Sequence, residues 1–286
     1  MRRERKRYDM GELYSFSTTG NFGYKHLTGL IWLFSLILFL LVLLLTVRKR
    51  FGKGEKFDRN VIRAAALFIW VWEAVKTIYI FDSLDYGPVG TYQSYMLPFH
   101  ICSMALYAFW IIGFHPGKFA DFVKPFAFAV MLLVTSIVLV IPDSSGILGE
   151  EYVPDWSFTL KNILPFQSFL YHGTLVFVPL YMVLSGYYRP RLRDVGKAFA
   201  CLLAVAAFAF ALNKLLLGTT DFMTLQFGWG NPFAYLIPDK YPLYLLILSG
   251  VSLGGSAAVL GIAEGLSLLF AKTRERLKIR RAPDAA

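Results

Sequence analysis

Long apolar blocks alternate with short polar connections along the whole chain. Stretches of roughly 18 apolar residues or more read as membrane-spanning helices, since about 20 residues cross a ~30 Å hydrocarbon core. Seven such stretches occur, near 27–47, 61–82, 94–114, 124–141, 162–186, 198–217 and 242–270. Lipid offers no water to backbone N–H and C=O groups, so a helix bundle is the natural way to pair them. The pattern predicts an all-α membrane protein: an extramembrane segment over 1–26, a seven-helix transmembrane domain over 27–270 and a basic cytoplasmic tail over 271–286. The first run follows Arg2, Arg3, Arg5, Lys6 and Arg7, much as a signal peptide does. It ends at Arg48-Lys49-Arg50 without a small-residue cleavage site and is read as an uncleaved helix.

Several runs are interrupted by polar groups. Leu97-Pro98-Phe99-His100-Ile101-Cys102-Ser103 lies near the start of helix three, a strongly apolar helical run from about 94 to 114. Ionisable side chains at membrane depth cost a few kcal/mol, so they face a bundle interior or a wet cavity. Taken alone, Cys102 reads as a small core residue and His100 as an interhelical hydrogen bonder. Helix two carries Glu73 and Lys76, whose spacing lets them pair on one face; the pair reads equally as structural or functional. Helix five carries Gln167 and Tyr171-His172-Gly173, and helix six ends with Asn213 and Lys214. Helix four is rich in Val, Ile and Leu and carries little chemistry. Cys201 has only apolar neighbours and reads as core. On helix seven, Gly250/Gly254 and Gly261/Gly265 have the spacing of close helix packing, and Glu264 reads as snorkelling or paired with an arginine.

Composition supports the membrane reading and narrows the partners. The chain is 56% hydrophobic with a mean hydropathy of +0.53, which excludes an ordinary soluble domain. A formal charge of +10 suits nucleic acid, but the Lys and Arg cluster beside helix ends on alternate connections. That is the positive-inside pattern. It predicts no nucleic-acid partner and a multi-pass protein of the cell membrane, with its N terminus outside and its C terminus cytoplasmic. The basic start runs against this orientation, but it is distant from the first helix and weighs less. The connection 142–161 is acidic, with Asp143, Glu150, Glu151 and Asp155 against Lys161. Cys102 and Cys201 form neither a disulfide framework nor a zinc motif, and His26, His100, His115 and His172 share no ligand spacing. No metal and no cofactor is expected.

Depth then groups the polar residues. At 1.5 Å per residue, Cys102 lies about 12 Å below the outer end of helix three, His172 about 15 Å into helix five and Glu73 about 13 Å from the outer end of helix two. Asn213 and Gln167 lie about 6–8 Å deep by the same measure. Polar groups from four helices at similar heights point to one cavity in the outer half. On a regular helix His100 and Cys102 point about 200° apart, so His172 is the better-placed base for the Cys102 thiol.

The residues Leu97-Pro98-Phe99-His100-Ile101-Cys102, Tyr171-His172-Gly173, the Asn213 region with its following loop and Pro242, and Phe22 to His26 resemble the bacterial YwaF-type membrane proteins and their animal relatives, the transmembrane protein 164 family of acyltransferases. The resemblance covers most of the chain and implies seven spans in the same order. It further implies a cysteine-centred, coenzyme A-independent transfer of a fatty acyl chain from a membrane phospholipid to a lysophospholipid. Under that resemblance Cys102 is the nucleophile, His172 its general base and His100 a supporting or substrate-orienting group. Asn213 either orients the imidazole or donates to the developing oxyanion. Lys214, where an aromatic residue more often follows the Asn, departs from the family pattern and bears on which substrate is handled. A different class fits the same residues: a non-enzymatic seven-helix solute-binding or transport protein whose cavity is lined by Glu73, Lys76, His100 and His172. No internal repeat supports transport. Neither the head group of the lipid nor the oligomeric state is encoded in these patterns.

Overall fold

The computed structural model describes residues 24–82, 97–140, 163–216, 222–225 and 241–280. Among these residues the regular elements are all helical. They are α1 (Tyr24–Arg50), α2 (Glu55–Asp82), α3 (Met104–Phe114), α4, α5 (Ile163–Leu184), α6 (Val195–Leu215) and α7 (Tyr241–Arg280). Short 3₁₀ turns at Leu192–Asp194 and Phe222–Thr224 lie beside α6. Helix α4 has three parts: Lys118–Pro125, a π-helical segment Phe126–Val130, and Met131–Val140.

Among the described residues, five stretches are long and apolar enough to cross a membrane: Gly29–Arg50, Lys118–Leu139, Phe166–Leu184, Leu192–Leu215 and Pro242–Phe270. Helix α3 is equally apolar but shorter, and α2 is long but carries Arg59, Arg63, Glu73 and Lys76. The chain is an all-α membrane protein. Ile31, Leu38, Phe39 and Val42 of α1 and Leu246, Ile262, Leu268 and Phe270 of α7 are exposed. Large apolar side chains facing outward at these positions are what contact with lipid tails requires.

The core lies where α4 and α5 meet the other helices. Helix α5 packs against α1, α2 and α4, while α4 packs against α3, α6 and α7 as well. All five residues of the π segment are buried, and α3, α5, α6 and α7 all touch it. Its cause lies next to it in the sequence. Pro125 has no N–H to give the helical ladder and crowds the preceding turn, and the ladder relaxes into one wide turn. The N–H of Met131 then bonds to the carbonyl of Phe126, five residues back.

Three sequence expectations change. Regular helix three begins at Met104, not near 94; within the described part Leu97–Ser103 forms bends and turns. A proline disfavours the α conformation for the residue before it, and Phe99 N–H bonds back to Leu97 O at 2.8 Å. The helix then starts tightly, with three-residue bonds from Met104, Ala105 and Leu106 to Ile101, Cys102 and Ser103. The depth assigned to Cys102 and its 200° separation from His100 assume a regular helix and do not apply. Next, α7 continues as helix to Arg280, through most of the expected tail. Finally, Gly250, Gly254 and Gly265 have no close neighbour, and Gly261 only ordinary contact with Leu192. The glycine that α7 packs on is Gly255, where an added Cβ would lie 2.5 Å from Leu133. The basic start 2–7, the acidic connection 142–161 and the loop residues 226–240 lie outside the described residues.

Ion pairs and caps put neighbouring helix ends at common levels. At one end Arg48 of α1 grips Asp58 of α2 through two hydrogen bonds, of 2.8 and 3.0 Å. Tyr181 of α5 donates to the same carboxylate at 2.8 Å. Asp58 is 1% exposed, so removing its partners leaves a buried charge. Nearby, Arg63 of α2 caps the end of α3 by donating to Gly113 O at 2.8 Å, and Glu264 of α7 accepts from the Leu192 N–H at 2.7 Å.

The Asp58 cluster generates the first prediction. Breaking a buried pair from one side costs roughly 3–5 kcal/mol, whereas one neutral hydrogen bond contributes about 1 kcal/mol. Arg48→Ala is expected to lower the melting temperature in detergent well below that of Tyr181→Phe. Equal, small shifts in a thermal-unfolding assay would show that Asp58 is not held as a buried charge.

Candidate functional site

The Pro98–Ser103 turn is held from two sides. Tyr107 of α3 donates to Pro98 O and Tyr171 of α5 donates to Cys102 O, each at 3.4 Å. Both tyrosines thus fix the backbone of the segment that carries His100 and Cys102. Trp70 of α2 also reaches α3, with its indole N–H on Leu106 O at 3.3 Å. A turn without i→i−4 bonds has carbonyls to satisfy: the Tyr107 hydroxyl gives that of Pro98 a donor, and the Tyr171 hydroxyl adds a second bond to Cys102 O, which also accepts from Ala105 N–H.

His172 follows Tyr171 on α5, with the two rings 5.4 Å apart. Its Nδ1 lies 2.8 Å from Ser168 O and 3.1 Å from Ser168 Oγ. A carbonyl can only accept, so Nδ1 carries the proton and the lone pair of the neutral ring sits on Nε2. The helix thereby selects the tautomer by means of its own preceding turn. His172 is 7% exposed. Gly173, next in sequence, lets α1 close over this part of α5, since a Cβ there would lie 2.6 Å from Leu33.

The Glu73 and Lys76 side chains form the expected ion pair. Both ends of the pair lie near α5, Lys76 close to His172 and Glu73 close to Tyr171, and Glu73 also lies near Tyr107 of α3. So α2, the 98–103 turn and α5 bring Glu73, Lys76, Cys102, Tyr171 and His172 into one neighbourhood. No hydrogen bond joins Cys102 Sγ to His172 among the described residues.

His100 and Asn213 belong to an adjoining cluster. The His100 ring meets Phe222 edge-on at 5.2 Å. Asn213, fully buried near the end of α6, clamps the main chain of Phe222: it accepts from the N–H at 2.8 Å and donates to the carbonyl at 3.1 Å. Phe99 packs on the same Phe222 ring at 5.5 Å. These two bonds of Asn213 therefore shape the wall behind His100. Gln167 is buried on α5, one residue before Ser168. Cys201 lies apart, with Sγ 3.9 Å from Phe122 O. No group of three or more His, Cys, Asp or Glu suited to a metal ion occurs among the described residues.

The TMEM164 family model matches residues 21–259, most of the chain and every residue of both clusters. The chain belongs to the TMEM164 family. No curated protein and no solved structure matches it.

Sequence reasoning about this TMEM164-family chain misses Tyr107 and Ser168. Ser168 carries a legible signal, since a serine four residues before a histidine faces it on a helix. Tyr107 carries none, because its partner is a main-chain carbonyl exposed only by the broken helix start.

The Glu73–Lys76 pair generates the second prediction. Glu73→Gln leaves Lys76 without its counter-charge in a largely buried position, a change costing roughly 3–5 kcal/mol. The folded, monodisperse fraction in size-exclusion chromatography is expected to fall, and Glu73→Gln/Lys76→Met should recover it. A single variant that folds normally would mean the pair does not stabilise the bundle.

Proposed function

We propose that this TMEM164-family protein is a coenzyme A-independent phospholipid acyltransferase that works through a thioester on Cys102. The observation that carries the reading is a thiol on a braced, non-helical turn, beside a helix whose His172 presents a lone pair at Nε2. An unaided thiol is mostly protonated at neutral pH and a poor nucleophile, so the chemistry needs a base.

The reaction proceeds in two balanced halves. His172 Nε2 takes the Cys102 proton, and Sγ attacks the carbonyl carbon of a phospholipid acyl ester. The bond from acyl carbon to glycerol oxygen breaks, the imidazolium returns the proton to that oxygen, and a lysophospholipid leaves. A second lysophospholipid hydroxyl then gives its proton to Nε2 and attacks the thioester, and the sulfur leaves and recovers the proton. Proton transfer needs Cys102 Sγ within hydrogen-bond reach of Nε2, a geometry that catalytic pairs often attain only with substrate bound. Tyr171 and Tyr107 act as positioning residues for the turn, and His100 shapes the substrate side with the Asn213-clamped Phe222. Gln167 and Lys76 supply further polar contacts near the base. Water reaching the thioester hydrolyses it, so slow lipase-like release of fatty acid accompanies transfer.

The positive-inside distribution orients the chain with its N terminus outside and its C terminus in the cytoplasm, which puts Cys102 and His172 toward the outer leaflet. The buried Glu73–Lys76 pair beside His172 favours one other reading, a cavity that binds a small dipolar solute without chemistry.

Trapping the intermediate separates the two. Purified protein given a phospholipid with a labelled acyl chain should acquire label that hydroxylamine releases. The label should be absent from Cys102→Ser and reduced by about a hundredfold or more in His172→Ala, as for loss of a general base. Undiminished acyl exchange by Cys102→Ser rejects the thioester mechanism and leaves solute binding.

A further inference from the structure

At the opposite end of the bundle from Cys102, the end of α5 and the beginnings of α4 and α6 enclose a cleft of about 390 Å³. Five cationic and two carboxylate side chains line it, an excess of three positive charges on the lining. The pairing shows which three. Lys124 is taken by Asp121 at 2.8 Å, and Lys197 by Asp194 at 2.9 Å. Arg189, Arg191 and Arg193 line the same cleft, are exposed, and have no carboxylate partner among the described residues.

The frame around these arginines is rigid. Pro190 between the first two restricts the backbone. The main chain after Arg191 is fastened to α7 through the Leu192 N–H on Glu264. Lys124 Nζ sits over the Tyr187 ring at 4.0 Å, and Tyr188 donates to the buried Asp194 at 3.3 Å. Burial first, and the nearby Glu55 carboxylate next, push the Tyr187 phenol up to about 12, so it remains a neutral hydrogen-bond donor at physiological pH. Planar guanidinium forks and the Tyr187 phenol suit the oxygens of a phosphate, whose charge they meet with directed hydrogen bonds.

Location selects the source of that phosphate. The cleft lies where the spans Phe166–Leu184, Lys118–Leu139 and Leu192–Leu215 end, the level at which phospholipid phosphates lie beside a bundle. Basic pockets between transmembrane helices at this level take anionic head groups. The volume exceeds what one phosphate needs and leaves room for the glycerol attached to it.

We infer that this cleft is a binding site for the phosphate of an anionic phospholipid, held chiefly by Arg189, Arg191 and Arg193. The site is separate from the acyl-transfer centre and rests only on the membrane embedding of the chain. Charge scattered for orientation predicts equal effects from basic residues anywhere on this side, whereas a built site depends on these three.

The test uses the full chain in nanodiscs of phosphatidylcholine with and without phosphatidylglycerol. Bound lipid is counted by native mass spectrometry after release, and unfolding is followed by intrinsic fluorescence. Wild type is expected to retain phosphatidylglycerol selectively and to melt at a higher temperature in its presence. Arg189→Gln/Arg191→Gln/Arg193→Gln should lose about tenfold in retention, as expected for removing charge-assisted contacts, with its melting temperature in pure phosphatidylcholine unchanged. Arg274→Gln/Arg276→Gln/Lys278→Gln, which removes the same charge from the end of α7, should bind as wild type does. An equal loss in both triple variants overturns the site in favour of diffuse attraction. Stabilisation by inorganic phosphate equal to that by the lipid overturns the lipid assignment. Cys102→Ser should retain the lipid normally, so the outcome is independent of the acyl-transfer reading.

Discussion

A single buried carboxylate, that of Asp58, sets the relation between the three helices α1, α2 and α5. A charge taken out of water must be met by donors or it destabilises the fold by several kcal/mol. Here the bidentate Arg48 fork meets both oxygens and Tyr181 adds a third bond to one of them. Each donor comes from a different helix, so the carboxylate is satisfied only when α1 and α5 lie correctly against the start of α2. In a membrane, apolar packing alone is a weak guide, because lipid tails solvate a leucine as well as another helix does. The polar junction supplies the register that packing cannot. Farther along the same two helices, that register brings Glu73 and Lys76 of α2 to Tyr171 and His172 of α5.

Two prolines then decide where the chain departs from regular helix, with different results. Pro98 precedes a segment that forms bends and turns and enters regular helix only at Met104; Tyr107 supplies the Pro98 carbonyl with a donor and Tyr171 adds a bond to that of Cys102. Pro125 sits inside a helix already formed on both sides, so the ladder widens for one turn and closes again. The first leaves a thiol and an imidazole on irregular backbone. The second lies in the centre of the bundle among wholly buried neighbours, and no ionisable group lies within its five residues.

Hydrophobic runs make the helices legible in the sequence itself, because crossing hydrocarbon demands length and apolarity that few other roles require. The pairing of Glu73 with Lys76 is legible too, since three residues on a helix bring two side chains to one face. Runs say nothing about where hydrogen bonding is interrupted. The apolar stretch containing Cys102 therefore reads as continuous helix, and a depth counted along it carries that assumption. Asp58 stays hidden for a related reason: it lies in what reads as a charged connection, and only the three-dimensional approach of Tyr181, 123 positions away, reveals its burial. Asn213 stands out by its depth, yet a sequence offers no sign that its amide faces the main chain of Phe222. Residue type and approximate height thus locate the two candidate clusters, while their internal partners require the fold.

The π segment of α4 also has a bearing on how the bundle is wired. One extra residue in a turn advances the direction of every following side chain by about 100°. The part before it, Lys118–Pro125, lies against α3 and α6, whereas Met131–Val140 lies against α5 and α7. In effect α4 is two short helices spliced out of phase, and each half faces its own partners. A phase change of this kind cancels any apolar stripe summed over the whole length. It also makes α4 the splice through which the helices bearing the candidate chemistry and those enclosing the arginine cleft are held as one body.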